Sequence, residues 1–197
     1  MARHREDRPT PTRGLPSPSP SPPMNLSLEA VTTGAPESVV AVARIARLIW
    51  REHYTPIIGA AQVEYMLARF QSEQAIGAAL VAGQEYWLMR VDGEPAGYLG
   101  LAPDREDPAS LQLSKIYVRA QSRGSGLGKI LLQRAEDRAA AQERRRLWLT
   151  VNRKNTDSLH WYQRQGFKVT GEVVTEIGKG FLMDDYRLEK WIGEVAR

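Results

Sequence analysis

QSRGSGLGKILL occupies residues 121–132. Gly124, Gly126 and Gly128 alternate with Ser125 and Leu127, and a strand-like run, LQLSKIYV (111–118), precedes them. An apolar stripe at helical spacing follows, through Leu127, Ile130, Leu131, Arg134/Ala135 and Arg138/Ala139. A turn of this kind presents unpaired backbone N–H groups at the positive end of a helix dipole, where an anion is stabilised. Glycines let that backbone come close to a phosphate, because no Cβ stands in the way. Arg123 and Lys129 add positive charge. The bland alternative is a plain glycine-rich turn between strand and helix.

Spacing discriminates among phosphate loops. The dinucleotide fingerprint G-x-G-x-x-G needs a third glycine at residue 129 or 131, and those positions hold Lys129 and Leu131. The following strand ends in Val151-Asn152-Arg153, with no acidic residue for a ribose. The ATP loop G-x-x-x-x-G-K-[ST] fails as well. Gly124 to Gly128 is one residue short, and Ile130 stands where a magnesium-binding hydroxyl belongs. What remains is Gln121-x-x-Gly124-x-Gly126, with Gly128 just beyond.

Outward from the loop, the elements alternate. LSLEAVTT (26–33) has strand periodicity. A helix is predicted from Pro36 through Val39 to Trp50, with HYTPIIG (53–59) as a break punctuated by Pro56 and Gly59. A second helix is predicted over 60–81, with Val63, Met66, Leu67 and Phe70 on one face. EYWLMRVDGEPAGYLGLAP (85–103) reads as two strands around an Asp92-Gly93 turn. After the loop, a helix is predicted to about Arg145. The run Glu143-Arg144-Arg145-Arg146 at its end complements the dipole better than it makes a nucleic-acid patch. RLWLTV (146–151) reads as a fully buried strand, and a short helix spans Thr156 to Gln165. FKVTGEVVTEI (167–177) and GFLMDDYRLEKWI (180–192) close the chain around Gly178-Lys179-Gly180. The order β-α-α-β-β-β-α-β-α-β-β predicts an α/β fold, a mixed sheet with helices on both faces.

The chain has 197 residues, of which 42% are hydrophobic, enough for one core. Residues 1–23 are rich in Pro, Ser and Arg and are expected to be disordered. They lack the apolar stretch of a secretory signal. Met24 is a candidate translation start, which would make the preceding residues an over-extended reading frame; a functional tail is the alternative. The expected organisation is an extension over 1–24 and a single domain over 25–197. No cysteine is present, which excludes disulfides, a thiol nucleophile and thiolate metal sites. His4, His53 and His160 lack ligand spacing, so no metal is expected. With no long apolar run for a membrane span, a cytoplasmic location is expected. The net charge of +4 is mild. It fits an anionic small-molecule cofactor at least as well as nucleic acid.

Beyond the next strand comes Asn155-x6-Tyr162-x3-Gly166-Phe167. Together with Gln121-x-x-Gly124-x-Gly126 and the element order from about 26 to 192, this segment resembles the GNAT superfamily of N-acetyltransferases. The resemblance implies a mixed, mostly antiparallel central sheet of about seven strands. It implies acetyl-CoA as co-substrate, with no metal. The amides of Arg123, Gly124, Ser125, Gly126, Leu127 and Gly128 would hold its pyrophosphate, with Gln121 and Lys129 beside them. Ile116, Tyr117 and Val118 would pair with its pantetheine arm. Strands 111–118 and 146–151 would splay apart to admit the thioester. The Val118 amide would face the thioester oxygen as an oxyanion donor. Tyr162 would protonate the leaving thiolate, and Asn155, also a helix cap, would lie near the cofactor arm.

Direct attack by an amine needs no enzyme nucleophile, but it does need a base. At pH 7 about one alkylammonium in 2,500 is neutral. Many relatives carry Glu on the strand before the loop. Here that strand has Gln112, Ser114 and Lys115. Asp184 is the remaining candidate, because Leu182, Tyr186 and Leu188 share its face and that face reads as core-directed. The alternative is a solvated Asp184-Asp185 pair at a bulge or sheet edge. Acceptor contacts are expected from His53, Tyr54, Gln62, Tyr65 and Asp184, each of which also reads as packing or surface. His160 reads as an exposed helix position. The acceptor stays open between a polyamine-like amine, an amino sugar and a peptide amine, and homodimerisation stays open. The competing classes are a non-catalytic acyl-CoA-binding domain with the same fold and a basic nucleic-acid binder.

Overall fold

The computed structural model describes residues 25–193, so the extension read over 1–24 lies outside the described residues. Seven strands form one sheet: β1 Leu26–Val31, β2 Glu85–Val91, β3 Glu94–Pro103, β4 Ser110–Val118, β5 Arg146–Asn152, β6 Lys168–Gly178 and β7 Phe181–Trp191. Their spatial order is β1-β2-β3-β4-β5-β7-β6. Neighbours are antiparallel except β4 and β5, which run parallel. Asp92 and Gly93 turn the β2–β3 hairpin with φ of 51° and 84°, the conformation that favours Asp-Gly there.

The helices are α1 Pro36–Ile58, α2 Ala60–Phe70, α3 Glu73–Val81, α4 Leu127–Ala141 and α5 Thr156–Arg164. Two expectations are corrected. The predicted break at 53–59 is the end of a continuous α1. Pro56 falls in its last turn, and Gly59, at φ 82°, stops it while its N–H bonds the Thr55 carbonyl. His53 and Tyr54 therefore sit on ordered helix. The predicted helix 60–81 is two helices, because Ser72 caps α3 by accepting a hydrogen bond from the Ala75 N–H.

Helices α1 to α3 pack on one face of the sheet, where Val42, Ile45, Ile49, Leu67 and Ile76 meet Tyr86, Leu88 and Tyr98. Helix α4 packs on the other, where Leu127, Leu131, Leu132, Ala135 and Ala139 meet Leu99, Leu113, Leu147 and Leu149. Leu132 takes the place expected for Ile130, which is 39% exposed. The run Glu143–Arg146 does not serve the α4 dipole as expected. The helix stops at Ala141, and Arg146 lies in β5, ion-paired with Asp107 and Glu189.

β5 is buried on one side only. Leu147, Leu149 and Val151 enter the α4 core, while Trp148, Thr150 and Asn152 are partly exposed on the opposite face. Helix α1 lies over β2, β3 and β4 rather than over this strand. The fully buried strand expected from RLWLTV is therefore corrected.

The feature that makes a site is the divergence of β4 from β5. They pair only over Ser110–Gln112 and Arg146–Trp148. Just beyond, the β3–β4 register slips, so that Gly100 faces Lys115 and Leu101 faces Leu113. Ser114 is the extra residue, and its hydroxyl donates to the Gly100 carbonyl. A bulge bends the strand that carries it, and here β4 turns away from β5. No helix among the described residues is long and apolar enough to cross a membrane.

Candidate active site

The gap between β4 and β5 is a cavity of about 580 Å³. Its walls come from β4, β5, the glycine loop, the end of α1 and the start of α5. At one end lie Ser122, Arg123, Gly124, Gly126, Gly128 and Lys129. Gly124 and Gly126 have φ of 78° and 87°, a left-handed geometry that only glycine adopts without strain. Gly126 is the N-cap of α4 and offers no capping side chain, so the first-turn N–H groups are left for an anion. A Cβ on Gly128 would meet the Trp161 ring at 3.2 Å, so this glycine lets α5 pack against the loop.

Three loop residues do not line the cavity with their side chains. Leu127 is core, 2% exposed. The Gln121 carboxamide oxygen accepts from Arg119. The Ser125 hydroxyl closes the loop by donating to the Ser122 carbonyl at 2.6 Å. Any contribution of Ser125 and Leu127 to an anion is through their amides.

Along β4, Ile116, Tyr117 and Val118 all border the cavity. The Arg119 N–H bonds the Ala96 carbonyl of β3 at 2.9 Å. Strand alternation then turns the Val118 N–H the other way, into the gap that β5 vacates. Tyr162 stands in the facing wall. Its ring is held edge-on by Trp161 and Phe167, at 5.1 and 5.7 Å between centroids. Its hydroxyl makes no hydrogen bond among the described residues. Burial raises its pKa, and the nearby Tyr54 hydroxyl adds to the shift, so the phenol stays protonated.

Asn155 corrects the expectation of a helix cap. It occupies the N-cap position of α5, but its side chain caps nothing. It is 3% exposed, and among the described residues its Nδ2 has no hydrogen-bond partner. An orphaned buried donor beside a cavity is a costly feature that a ligand can satisfy.

The end of α1 forms the opposite side. Tyr54 stacks with Trp50 at 4.6 Å and meets Tyr117 at 6.2 Å, and burial raises the pKa of both tyrosines. His53 borders the cavity close to Arg123 and Asn155. Burial lowers its pKa, and the Arg123 charge lowers it further. Lys115 reaches across Gly100 to place its ammonium 5.2 Å from the centre of the Tyr86 ring. Burial lowers it to about 8.

Of the other acceptor candidates, only Tyr54 borders the cavity. The Gln62 amide donates to the Leu182 carbonyl at 2.7 Å. The Tyr65 hydroxyl donates to the Ile177 carbonyl, and its ring packs on Phe181. Both residues tie α2 to the β6–β7 hairpin. His160 is exposed.

Asp184 is corrected outright. Its side chain is 52% exposed and pairs with Arg153 at 3.5 Å. It does share a face with Tyr186 and Leu188, but the core under that face ends before it, and Leu182 is exposed too. The buried acid is its neighbour Asp185, 5% exposed, on the opposite face. One residue along a strand exchanges the faces. Asp185 lies beside Thr150 and near Tyr54, and burial raises its pKa.

The geometry has counterparts among known proteins. The PaiA N-acetyltransferase of Thermoplasma acidophilum, solved in complex with coenzyme A, superposes with a TM-score of 0.70 over 85% of this chain and 99% of that one, at 20% identity. An uncharacterized N-acetyltransferase of Lactobacillus delbrueckii is 32% identical over 113 residues, 54% of this chain and 65% of that protein. The peptidyl-lysine N-acetyltransferase YjaB of Salmonella typhimurium is 31% identical over 97 residues, 48% of this chain and 59% of that protein. The chain thus spans less than two thirds of the length of these two relatives. The acetyltransferase (GNAT) family matches residues 42–167, which take in the end of α1, the bulged β4, the glycine loop and Tyr162. By that match, and by a sheet opened at the β4–β5 gap, the chain belongs to the GNAT family.

Proposed function

We propose that this protein moves the acetyl group of acetyl-CoA directly onto an amine. The observation that carries the reading is the β4–β5 gap itself, with a glycine loop at one end and an unpartnered tyrosine hydroxyl in its wall. The residues present suit the co-substrate. Left-handed Gly124 and Gly126 expose amides for a pyrophosphate, and Arg123 and Lys129 add charge. The Asn155 Nδ2 and the outward Val118 N–H are free donors for a pantetheine arm and a thioester oxygen.

Bound acetyl-CoA supplies an activated acyl carbon and a thiolate leaving group. The Val118 N–H stabilises the negative charge that develops on the thioester oxygen. Tyr162, kept neutral by burial, hydrogen-bonds the departing sulfur and delivers its proton. Trp161 and Phe167 fix the ring so that the hydroxyl stays aimed into the gap.

The acceptor is a small amine or a peptide amine. The name of the YjaB relative makes a lysine side chain in a peptide the first to try. The test is release of free thiol from acetyl-CoA with a lysine peptide, a polyamine and an amino sugar. Turnover of any of them supports the reading. Coenzyme binding without turnover of any amine points to an acyl-CoA-binding domain instead.

A further inference from the structure

A carboxylate that is 5% exposed and has no cation beside it is expensive, and Asp185 is one. Among the described residues no Lys, Arg or His forms an ion pair with it. Its surroundings can be enumerated. Thr150 presents its hydroxyl from β5, and Asn152, whose side-chain oxygen accepts from the Lys154 N–H, stands directly across the ladder. Tyr54 approaches from α1. Val173 lies across from it on β6. Asp184 precedes it on the opposite face. Arg187, two residues along the same face, is drawn away: it donates to Glu189 at 2.9 Å and stacks 4.0 Å over Trp148.

Thr150 and Tyr54 both border the reaction cavity, so Asp185 lies one side chain behind its wall. Three other cavity-lining groups able to take a proton are placed differently. His53 lies against Arg123 and Asn155, and Asp157, in the first turn of α5, stands near His53, both on the side of the glycine loop. The Lys115 ammonium points away from the gap, across Gly100 to Tyr86.

We propose that Asp185, working through the Thr150 hydroxyl, takes the proton from the acceptor ammonium. This rests on the acetyltransferase reading. The ammonium gives a proton to the Thr150 oxygen while the Thr150 proton passes to the Asp185 carboxylate. The freed lone pair forms the C–N bond, the C–S bond breaks, and Tyr162 protonates the sulfur. The second nitrogen proton restores Tyr162, and Asp185 returns its proton to solvent. Burial raises Asp185 above the ordinary carboxylate range, which brings it closer to the amine it serves.

The experiment compares the full-length protein with Asp185→Asn and Thr150→Val, using ethylamine and 2,2,2-trifluoroethylamine at high concentration. The second amine is already neutral at pH 7.5. Asp185→Asn should lose about 100-fold or more on ethylamine. It should lose less than about fivefold on trifluoroethylamine. Its deficit on ethylamine should shrink as the pH is raised from 7 to 9. Thr150→Val, which keeps the shape, should show the same selective loss. Equal losses on both amines, or none, overturn the role of Asp185 alone. A wild type that acetylates no amine overturns the acetyltransferase reading, and this role with it. Melting separates a misfolded variant from an inactive one. A raised carboxylate costs the wild type stability as pH rises through the carboxylate range, so Asp185→Asn should melt higher at pH 7 than wild type. A lower melting temperature would mean that the carboxylate is compensated, and would overturn the proposal.

Discussion

Replacing Tyr162 by Phe removes one oxygen from the wall of the gap and little else. The ring keeps its contacts with Trp161 and Phe167. Among the described residues the hydroxyl bonds no protein group, so no partner is orphaned. Stability should change by less than about 0.5 kcal/mol, a Tm shift of roughly 2 °C or less for a chain of this size. Any larger effect on rate is then chemical. A positioned general acid is worth about 10² to 10⁴ in rate, or about 3–5 kcal/mol of transition-state stabilisation. Tyr162→Phe is therefore expected to lower kcat by at least about 100-fold and to leave the Kd for coenzyme A within about threefold. Thiol release under single-turnover conditions gives the first quantity, and calorimetry gives the second. Burial holds the phenol protonated, so the wild-type rate should not fall between pH 8 and 10 through loss of this proton. An unchanged kcat with chemistry rate-limiting would refute the reasoning. So would a loss of coenzyme affinity as large as the loss of rate, since Tyr162 would then be a binding contact.

Three further substitutions separate the donor loop, the α2 contact with the β6–β7 hairpin and the half-buried Lys115. Gly126→Ala forces a Cβ into a left-handed position, φ 87° and ψ −6°, at a cost of about 1–2 kcal/mol. It should melt lower by roughly 2–8 °C and bind coenzyme A more weakly; melting curves and calorimetry check both. Tyr65→Phe deletes one of the two α2 bonds to the Ile177 carbonyl and leaves the one from Arg69. It should cost about 1 kcal/mol, seen as a lower denaturation midpoint, with coenzyme affinity unchanged because Tyr65 does not border the cavity. Lys115 is lowered to about 8 by burial, so between pH 8 and 10.5 the unfolded chain binds more protons than the folded one and stability rises with pH. Lys115→Met should be more stable than wild type at pH 7 by up to about 3 kcal/mol, and the difference should shrink to about 1 kcal/mol or less by pH 10 in paired denaturant titrations.

How much of the site was legible in the sequence depends on how many chain segments each half of it needs. The donor half is local. A phosphate is held by consecutive N–H groups at a turn, so Gly124, Gly126 and Gly128 announce it within five residues, and the helix from Thr156 adds Tyr162 in one further segment. The Asp92-Gly93 hairpin was legible for the same reason. The acceptor half is assembled from α1, β4, β5 and β7, and no local pattern encodes which side chains meet there. Asp184 and Asp185 illustrate the difference. Alternation correctly groups Asp184 with Tyr186 and Leu188, but burial is decided by what lies over the strand, and the core beneath Leu188 stops short of Asp184. The Lys115 environment is equally nonlocal. It requires Gly100 on β3 to leave room for the stem and Tyr86 on β2 to receive the ammonium. RLWLTV reads as buried on both faces until the span of α1 over β2 to β4 leaves Trp148 and Thr150 half-open. The same asymmetry bears on specificity. On the proposed reading, coenzyme recognition would rest mainly on backbone groups that side-chain substitution leaves in place. Acceptor recognition would rest on side chains from four elements, any of which can change without disturbing the donor loop. A change of acceptor in this protein should therefore be sought at Tyr54, at Ser114, which borders the cavity from β4, at Thr150 and at Asp185 rather than in the glycine loop.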